Sequence, residues 1–243
     1  MKTVNICHLQ QLDFITSEAI NTICTNLTFS GRDLHRILVT SNAASDGKSW
    51  IAMHMAVNLA KRGRRVLLID GDMRRSMLVQ RYNIRFEGKG NGLAHYLTGQ
   101  CGLDECVYST NVSGLCIMPA GRDVSNPVAL IDTPYFSDML DELARHFDVV
   151  LLDTPPIGAV IDAAEIAVDC DGAVLVVEYK KTRLREIAEC KRQIERSGTP
   201  VLGCIINKVA FDGISEKRYY NRSYYSRMNK DYYRRGATLN KGR

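Results

Sequence analysis

The chain contains 243 residues, of which 45% are hydrophobic and 24% are charged. This composition is too apolar for a disordered protein and too evenly polar for an integral membrane protein, so it predicts a sizeable globular core. No stretch approaches the ~18 consecutive apolar residues of a membrane span, and the N-terminus lacks the apolar core of a signal peptide. These features predict a cytoplasmic protein.

The net charge of +5 is unevenly distributed along the chain. Residues 217–243 hold nine Lys or Arg and one acid, so this segment carries +8 and residues 1–216 carry 5 − 8 = −3. Because the remainder of the chain is mildly acidic, we expect no nucleic-acid partner. The eight cysteines show neither a Cys-x-x-Cys pair nor zinc-ligand spacing, which indicates reduced thiols packed as small hydrophobic residues.

Short apolar segments, bounded by turn or charged residues, are typical of buried parallel strands. They span residues 37–40, 66–69, 115–118, 149–152, 173–177 and 201–206. Segments with helical spacing of apolar residues lie between them, at residues 48–62, 128–146, 159–168 and 182–196. This alternation predicts an α/β fold with a doubly wound, mostly parallel sheet, whose ligands bind at the carboxyl ends of the strands.

The first predicted strand runs into a short polar segment and then into a predicted helix, which is the order of a phosphate-binding loop. The segment reads Ser41-Asn42-Ala43-Ala44-Ser45-Asp46-Gly47-Lys48-Ser49. In such loops backbone N–H groups bind a polyphosphate, Lys48 reaches the β- and γ-phosphates and the Ser49 hydroxyl binds Mg²⁺. The general pattern has glycine at position 42. Because asparagine tolerates left-handed backbone better than most residues, we expect the loop to close with Asn42 there.

Three carboxylates follow predicted strands. Asp70 and Asp72 follow residues 66–69, and Asp153 follows residues 149–152. Taken singly, an aspartate after a strand is usually a turn or helix-cap residue. Three of them in a chain with a phosphate loop favour Mg²⁺ and phosphoryl chemistry, in which the metal takes one or two carboxylates plus phosphate oxygens and water.

Together these segments resemble the Walker A, A′ and B motifs of the bacterial tyrosine kinases. The matching residues are Gly47 to Ser49, Asp70 to Arg74 and Leu151 to Pro155, and weaker similarity covers residues 17–27, which match the N-terminal helix of the family, and residues 118–127. The resemblance implies a kinase on a P-loop NTPase fold that uses ATP and Mg²⁺. It also implies regulation of capsular or exopolysaccharide synthesis and recruitment to the inner face of the cell membrane.

The resemblance further implies the partners and the domain organisation. The partners are a membrane-spanning adaptor of the polysaccharide co-polymerase type, neighbouring copies for trans-phosphorylation and a tyrosine phosphatase. We expect a kinase domain at residues 1–211, including an N-terminal helical segment at residues 1–30, and a flexible basic tail at residues 212–243. The tail contains six of the eleven tyrosines, which match the phosphoacceptor cluster of the family: Tyr219, Tyr220, Tyr224, Tyr225, Tyr232 and Tyr233.

Carried over by position, the resemblance implies that Lys48 holds the phosphates, that Ser49 binds Mg²⁺ and that Asp153 binds it directly or through water. Asp70 is then the base that takes the tyrosine proton, and Asp72 is a further carboxylate on the Mg²⁺ side. Asn207 is a candidate for reading the adenine edge or a structural turn residue, and Trp50 is a candidate base contact or a helix-packing residue. The predicted nucleotide contacts are Ser45, Asp46, Gly47, Lys48, Ser49, Trp50 and Asn207.

Three positions depart from the family pattern, and two other functions stay open. The family usually has glycine at Ser45, and its N-terminal helix carries arginines where this chain has Asn21 and Cys24. One alternative is a deviant P-loop partitioning or positioning ATPase, although that class carries a signature lysine where this chain has Ala43. The other is a catalytically weak nucleotide-binding subunit. The basic tyrosine-rich tail is also compatible with binding to single-stranded RNA or an anionic membrane.

Overall fold

The structure is a computed structural model that describes residues 2–31, 34–86, 88 and 90–210. Its strands are β1 (Lys2–Val4), β2 (Arg36–Ser41), β3 (Val66–Asp70), β4 (Tyr108–Thr110), β5 (Leu115–Met118), β6 (Val149–Asp153), β7 (Gly172–Glu178) and β8 (Val201–Asn207). They form one sheet in the order β1-β4-β5-β3-β6-β2-β7-β8. The pair β4 and β5 is antiparallel and the other neighbouring pairs are parallel. The predicted mostly parallel α/β sheet is confirmed.

The helices lie between the strands. They are α1 (Phe14–Ser30), α2 (Lys48–Lys61), α3 (Leu78–Arg81), α4 (Leu93–Leu97), α5 (Leu103–Cys106), α6 (Val128–Ile131), α7 (Pro134–His146), α8 (Asp162–Ala167) and α9 (Leu184–Arg196). Within the described ranges no helix is both long and apolar enough to cross a membrane.

Successive residues of the central strands bury their side chains on opposite faces of the sheet. On one face Leu67 and Leu152 belong to the core that also contains Phe136 of α7 and Ile194 of α9. On the other face Leu68 joins a core formed with α1 and α2. Because both faces are covered, these strands are apolar at almost every position, which is why the sequence made them recognisable.

One predicted helix is wrong in its extent. Residues 128–146 were expected to form one helix, but the structure contains α6 and α7 separated by Asp132 and Thr133. Thr133 has φ −137° and ψ 148°, an extended conformation. The residue before a proline disfavours helical backbone, and Pro134 has no N–H to donate within a continuous helix. The chain therefore ends one helix and starts another, with Pro134 in the first turn of α7.

The N-terminal segment adds a strand that the sequence did not reveal. Besides the expected helix, now α1, residues Lys2–Val4 form β1, which pairs in parallel with β4 at the edge of the sheet. A strand of three residues has too little periodicity to be read from sequence. The predicted tail at residues 212–243 lies outside the described residues, so the domain boundary stays a prediction.

Candidate active site

The phosphate-binding loop connects the central strand β2 to helix α2. Gly47 immediately precedes α2 with φ 98°, a left-handed conformation that favours glycine. A Cβ at Gly47 would lie 2.1 Å from Nδ2 of Asn207, so a larger residue has no space. The Asn207 amide donates a hydrogen bond of 2.8 Å to the Asp46 carbonyl oxygen. Asn207, at the end of β8, therefore braces the loop in this structure, and its contact with adenine stays a prediction.

The loop closes with Asn42 in ordinary backbone. Ser45, with φ 68°, is left-handed like Gly47, and Asn42 does not have a positive φ. Left-handed backbone costs about 1–2 kcal/mol for a residue with a Cβ, so the loop carries strain at the position where the family has glycine. The Asn42 Oδ1 instead accepts a hydrogen bond of 3.3 Å from the Cys190 thiol of α9.

Two other predicted nucleotide contacts have their side chains engaged with the protein. The Asp46 side chain is almost fully buried, and its Oδ2 accepts a hydrogen bond of 2.8 Å from the Ala43 backbone N–H, which closes the loop on itself. The Trp50 ring lies 4.2 Å from the ring of His54, one turn further along α2. These contacts indicate that Asp46 maintains the shape of the loop and that Trp50 packs along helix α2.

Lys48 lies between two of the three predicted carboxylates. Its Nζ is 3.7 Å from Oδ2 of Asp72 and 3.7 Å from Oδ1 of Asp153. The Ser49 hydroxyl accepts a hydrogen bond of 3.3 Å from the same Nζ. Asp70 is the register partner of Asp153 on the neighbouring strand, and both residues are 1% exposed. The structure thus brings together the residues that the sequence assigned to phosphate, metal and base.

Burial controls the ionisation of this cluster. It raises the pKa of Asp70, and the charge of Asp153 raises it further, while the Ser76 hydroxyl bond acts in the opposite direction. Burial also raises the pKa of Asp153, and the Lys48 ammonium opposes that shift. A carboxyl group with a raised pKa suits a general base, because its proton affinity lies nearer to the operating pH.

The donor set fits a magnesium ion. The Asp153 Oδ1 is buried and has no hydrogen-bond partner among the described residues, although a buried oxygen of this kind is normally satisfied. The same part of the chain contains no group of three or more His, Cys, Asp or Glu arranged to hold a metal alone. Mg²⁺ uses few protein carboxylates and completes its shell with phosphate oxygens and water. Ser49, Asp72 and Asp153 would hold it.

Two residues that support the site were not assigned from sequence. Arg74 binds Asp162 in a bidentate pair, with Nε at 2.7 Å from Oδ2 and Nη2 at 2.8 Å from Oδ1, and Asp162 is fully buried. Ser76 donates a hydrogen bond to Asp70 Oδ2. The partner of Arg74 lies 88 residues away in the sequence, so no local pattern identifies it. The tail tyrosines lie outside the described residues.

The doubly wound sheet, the loop before α2 and the carboxylates at the ends of β3 and β6 define a protein of the P-loop NTPase class. Comparison with known proteins narrows this class to a family. A family model described as an AAA domain matches residues 35–197. The tyrosine-protein kinase CpsD of Streptococcus agalactiae is 39% identical over 194 residues, which cover 80% of this chain and 84% of that protein.

Similar folds occur among solved structures. The chimerical protein CapA2B2 has a TM-score of 0.77 and 29% identity, covering 85% of this chain and 90% of that one. The septum site-determining protein MinD from Pyrococcus horikoshii, solved with Mg-ADP, has a TM-score of 0.63 at 23% identity, covering 74% of this chain and 72% of that one. The second likeness shows the fold alone. The chain belongs to the bacterial tyrosine kinase family, and it is a protein-tyrosine kinase.

Proposed function

We propose that the chain transfers the γ-phosphoryl group of MgATP to the clustered tyrosines of its own C-terminal tail, in neighbouring copies, and thereby regulates capsular or exopolysaccharide synthesis. The observation that carries this proposal is the position of Lys48, 3.7 Å from both Asp72 and Asp153, with the buried Asp70 on the adjacent strand. Phosphoryl transfer needs a cation that holds the phosphates, oxygen ligands for a divalent metal and a separate carboxylate that accepts a proton.

Each group of the site has a distinct task in this proposal. Lys48 and the backbone N–H groups of the loop hold the β- and γ-phosphates in line with the acceptor. Asp70 accepts the proton as the tyrosine oxygen forms its bond to the γ-phosphorus, and the bond to the ADP oxygen breaks. Magnesium, when bound, neutralises the charge on the phosphate oxygens. Because a tyrosine hydroxyl has a pKa of about 10, a base beside it is useful. In phosphoryl transfer, however, positioning and charge neutralisation supply most of the reduction of the barrier.

Assembly of neighbouring copies is proposed to depend on the membrane-spanning adaptor. The two positions at which the family has arginines face α2 of the same chain. The Cys24 side chain is fully buried, and Asn21 donates to Glu18 Oε1 at 2.8 Å and accepts from Asn58 at 2.7 Å. Light scattering should show that the isolated chain is monomeric or weakly associated. A stable octamer at low micromolar concentration without the adaptor would contradict this proposal.

The function is tested by incubating the purified chain with ATP and Mg²⁺, with and without the cytoplasmic segment of a candidate adaptor, and mapping phosphotyrosine by mass spectrometry. Lys48→Met should abolish labelling and preserve the fold, because it removes the charge that holds the phosphates. The matched control is Lys191→Met, which removes an exposed lysine of α9. Undiminished labelling by Lys48→Met would refute the assignment of the loop. Hydrolysis of ATP without phosphotyrosine would favour a switch ATPase.

A further inference from the structure

The carboxylate of Asp70 is held at both oxygens by the loop that follows β3. Its Oδ1 accepts a hydrogen bond of 3.2 Å from the Asp72 backbone N–H, and its Oδ2 accepts one from the Ser76 hydroxyl. Asp70 is 1% exposed, whereas Ser76 is half-buried and lies just before α3. A side chain at the edge of the site therefore holds one side of the buried carboxylate.

The Asp70 carboxylate needs this second partner to keep one orientation. The terminal torsion of an aspartate is soft, so the carboxylate plane is set by its hydrogen bonds more than by its rotamer. Asp153 is directly opposite on β6, and repulsion between the two carboxylates would turn Asp70 away from the productive geometry. The hydroxyl of Ser76 opposes this rotation because it donates to the charged oxygen.

The same bond closes the loop that carries Asp72. Ser76 is six residues after Asp70, and the loop between them contains Asp72, whose Oδ2 is 3.7 Å from Lys48 Nζ. A second bond inside the loop runs from the Arg75 backbone N–H to Asp72 Oδ1 at 3.0 Å. The bond from Ser76 therefore helps to fix two carboxylates relative to Lys48.

We propose that Ser76 is a positioning residue for phosphoryl transfer, which acts by holding the Asp70 carboxylate toward the acceptor tyrosine. This inference rests on the proposed function, because that function makes Asp70 the base. Contacts other than the Ser76 hydrogen bond also hold the loop. The loop is anchored independently by the Arg74–Asp162 pair, by the Gly71 N–H on the Asp153 carbonyl at 2.7 Å and by the Val124 N–H on the Met73 carbonyl at 2.9 Å.

The experiment compares Ser76→Ala, Ser76→Thr and the control Ser197→Ala in steady-state phosphorylation of a synthetic peptide of residues 217–233. Ser197 is also a half-buried serine with a bonded hydroxyl, but it precedes the edge strand β8 and so lies on the side of the amino ends of the strands. Ser76→Ala should lower kcat by about ten- to a hundred-fold and change the KM for ATP by less than about two-fold, because a misplaced catalytic group costs turnover more than ground-state binding. Ser76→Thr keeps the hydroxyl and should restore most of kcat. Ser197→Ala should match the unsubstituted chain.

Three other results would overturn the positioning role. If the unsubstituted chain phosphorylates tyrosine and Ser76→Ala has the same kcat, Ser76 does not position the base, and the proposed function survives. If Ser76→Ala lowers Tm and raises the KM for ATP together with the loss of kcat, and threonine does not rescue it, the role of Ser76 is structural. If the unsubstituted chain gives no phosphotyrosine, the proposed function is refuted, and the positioning role of Ser76, which rests on it, is refuted as well.

Discussion

Asp70 and Asp153 lie opposite each other as register partners on β3 and β6, and both are buried. With Asp72 the ionised cluster carries −3, and Lys48 adds +1, so the net charge is −3 + 1 = −2. Buried charge of this size is costly unless a counterion balances it. A divalent metal has the complementary charge, so the arrangement favours a site that is stabilised by the binding of Mg²⁺.

Asp70→Asn and Asp153→Asn should both abolish most of the phosphoryl transfer, but by different routes. Asp153 carries the unpartnered oxygen beside Lys48, so its substitution should weaken the binding of MgATP and shift the Mg²⁺ dependence to higher concentration. Asp70→Asn should bind MgATP as well as the unsubstituted chain and lose turnover by orders of magnitude, because the base is removed. Titration of each variant with ATP at several Mg²⁺ concentrations measures the difference.

Asp138→Asn is the matched control, because Asp138 is an exposed aspartate on α7. It should keep both the affinity for MgATP and the turnover. Equal loss of MgATP affinity in the Asp70 and Asp153 variants would refute the division of roles between the two carboxylates.

Arg74→Met should destabilise the protein far more than Arg65→Met. Removing Arg74 leaves the fully buried Asp162 without its bidentate partner, and because the Arg74 side chain is itself 35% exposed we expect a loss below the about 3–5 kcal/mol of a fully buried pair. The Arg65–Asp148 pair is at the surface, with the Arg65 side chain 62% exposed, and such pairs contribute about 0–1 kcal/mol. Urea unfolding of both variants measures the contrast. Similar losses of stability would show that the Arg74 pair is not a buried anchor.

Much of the site was predictable because it lies at the ends of buried strands. The strands β3 and β6 are continuous apolar runs, and each ends at its aspartate, so the sequence alone indicated that Asp70, Asp72 and Asp153 share one edge with the loop before α2. In a parallel sheet that is covered on both faces, the ligand binds at the carboxyl ends of the strands, so the position of the site follows from the topology of the sheet.

The residues that support the site were not predictable in the same way. The pairing of Arg74 with Asp162 depends on where α8 begins, which was expected at residue 159 and is observed at Asp162. Asn42 was expected to tolerate left-handed backbone, but the structure has left-handed backbone at Ser45 instead. Contacts between residues that are distant in the sequence, and local backbone strain, depend on tertiary packing, which cannot be read from a single sequence.

The contribution of His54 to stability should be lost as the pH is lowered from about 6.5 to about 4. This histidine is 4% exposed, and burial lowers its pKa from 6.5 to about 4. Between these values the unfolded chain binds a proton that the folded chain does not, so acid favours unfolding, and the full effect is roughly 3 kcal/mol. Above about pH 6.5 both states are neutral at this position, and the contribution is fully present.

Urea unfolding at several pH values, followed by the fluorescence of Trp50, the only tryptophan, measures this dependence. His54→Gln should flatten the slope between pH 6.5 and 4, whereas His8→Gln, which removes an exposed histidine, should retain it. An unchanged slope in His54→Gln would assign the acid sensitivity to other groups.

A chain that ends at residue 211 should keep its Tm and its affinity for MgATP, lose nearly all autophosphorylation and still phosphorylate an added peptide of residues 217–233. Because residues 212–243 have few aliphatic side chains and clustered Tyr and Arg, we expect their removal to leave the core intact. Each phosphate adds about −1.5 to −2 charge, so several would reverse the +8 of residues 217–243. Thermal unfolding, nucleotide titration and mass mapping check the three expectations.

If this prediction fails, labelling of the truncated chain shows which tyrosines outside the tail accept phosphate. Tyr82 and Tyr108 are 2% and 3% exposed, so strong self-labelling without the tail would point to Tyr135 or Tyr179, which are 70% and 41% exposed, or to the partly buried Tyr96. Unfolding of the truncated chain would instead make the tail a structural element. If neither the full nor the truncated chain labels itself and both hydrolyse ATP, the site binds and cleaves nucleotide without an acceptor tyrosine, and a switch ATPase becomes the better assignment.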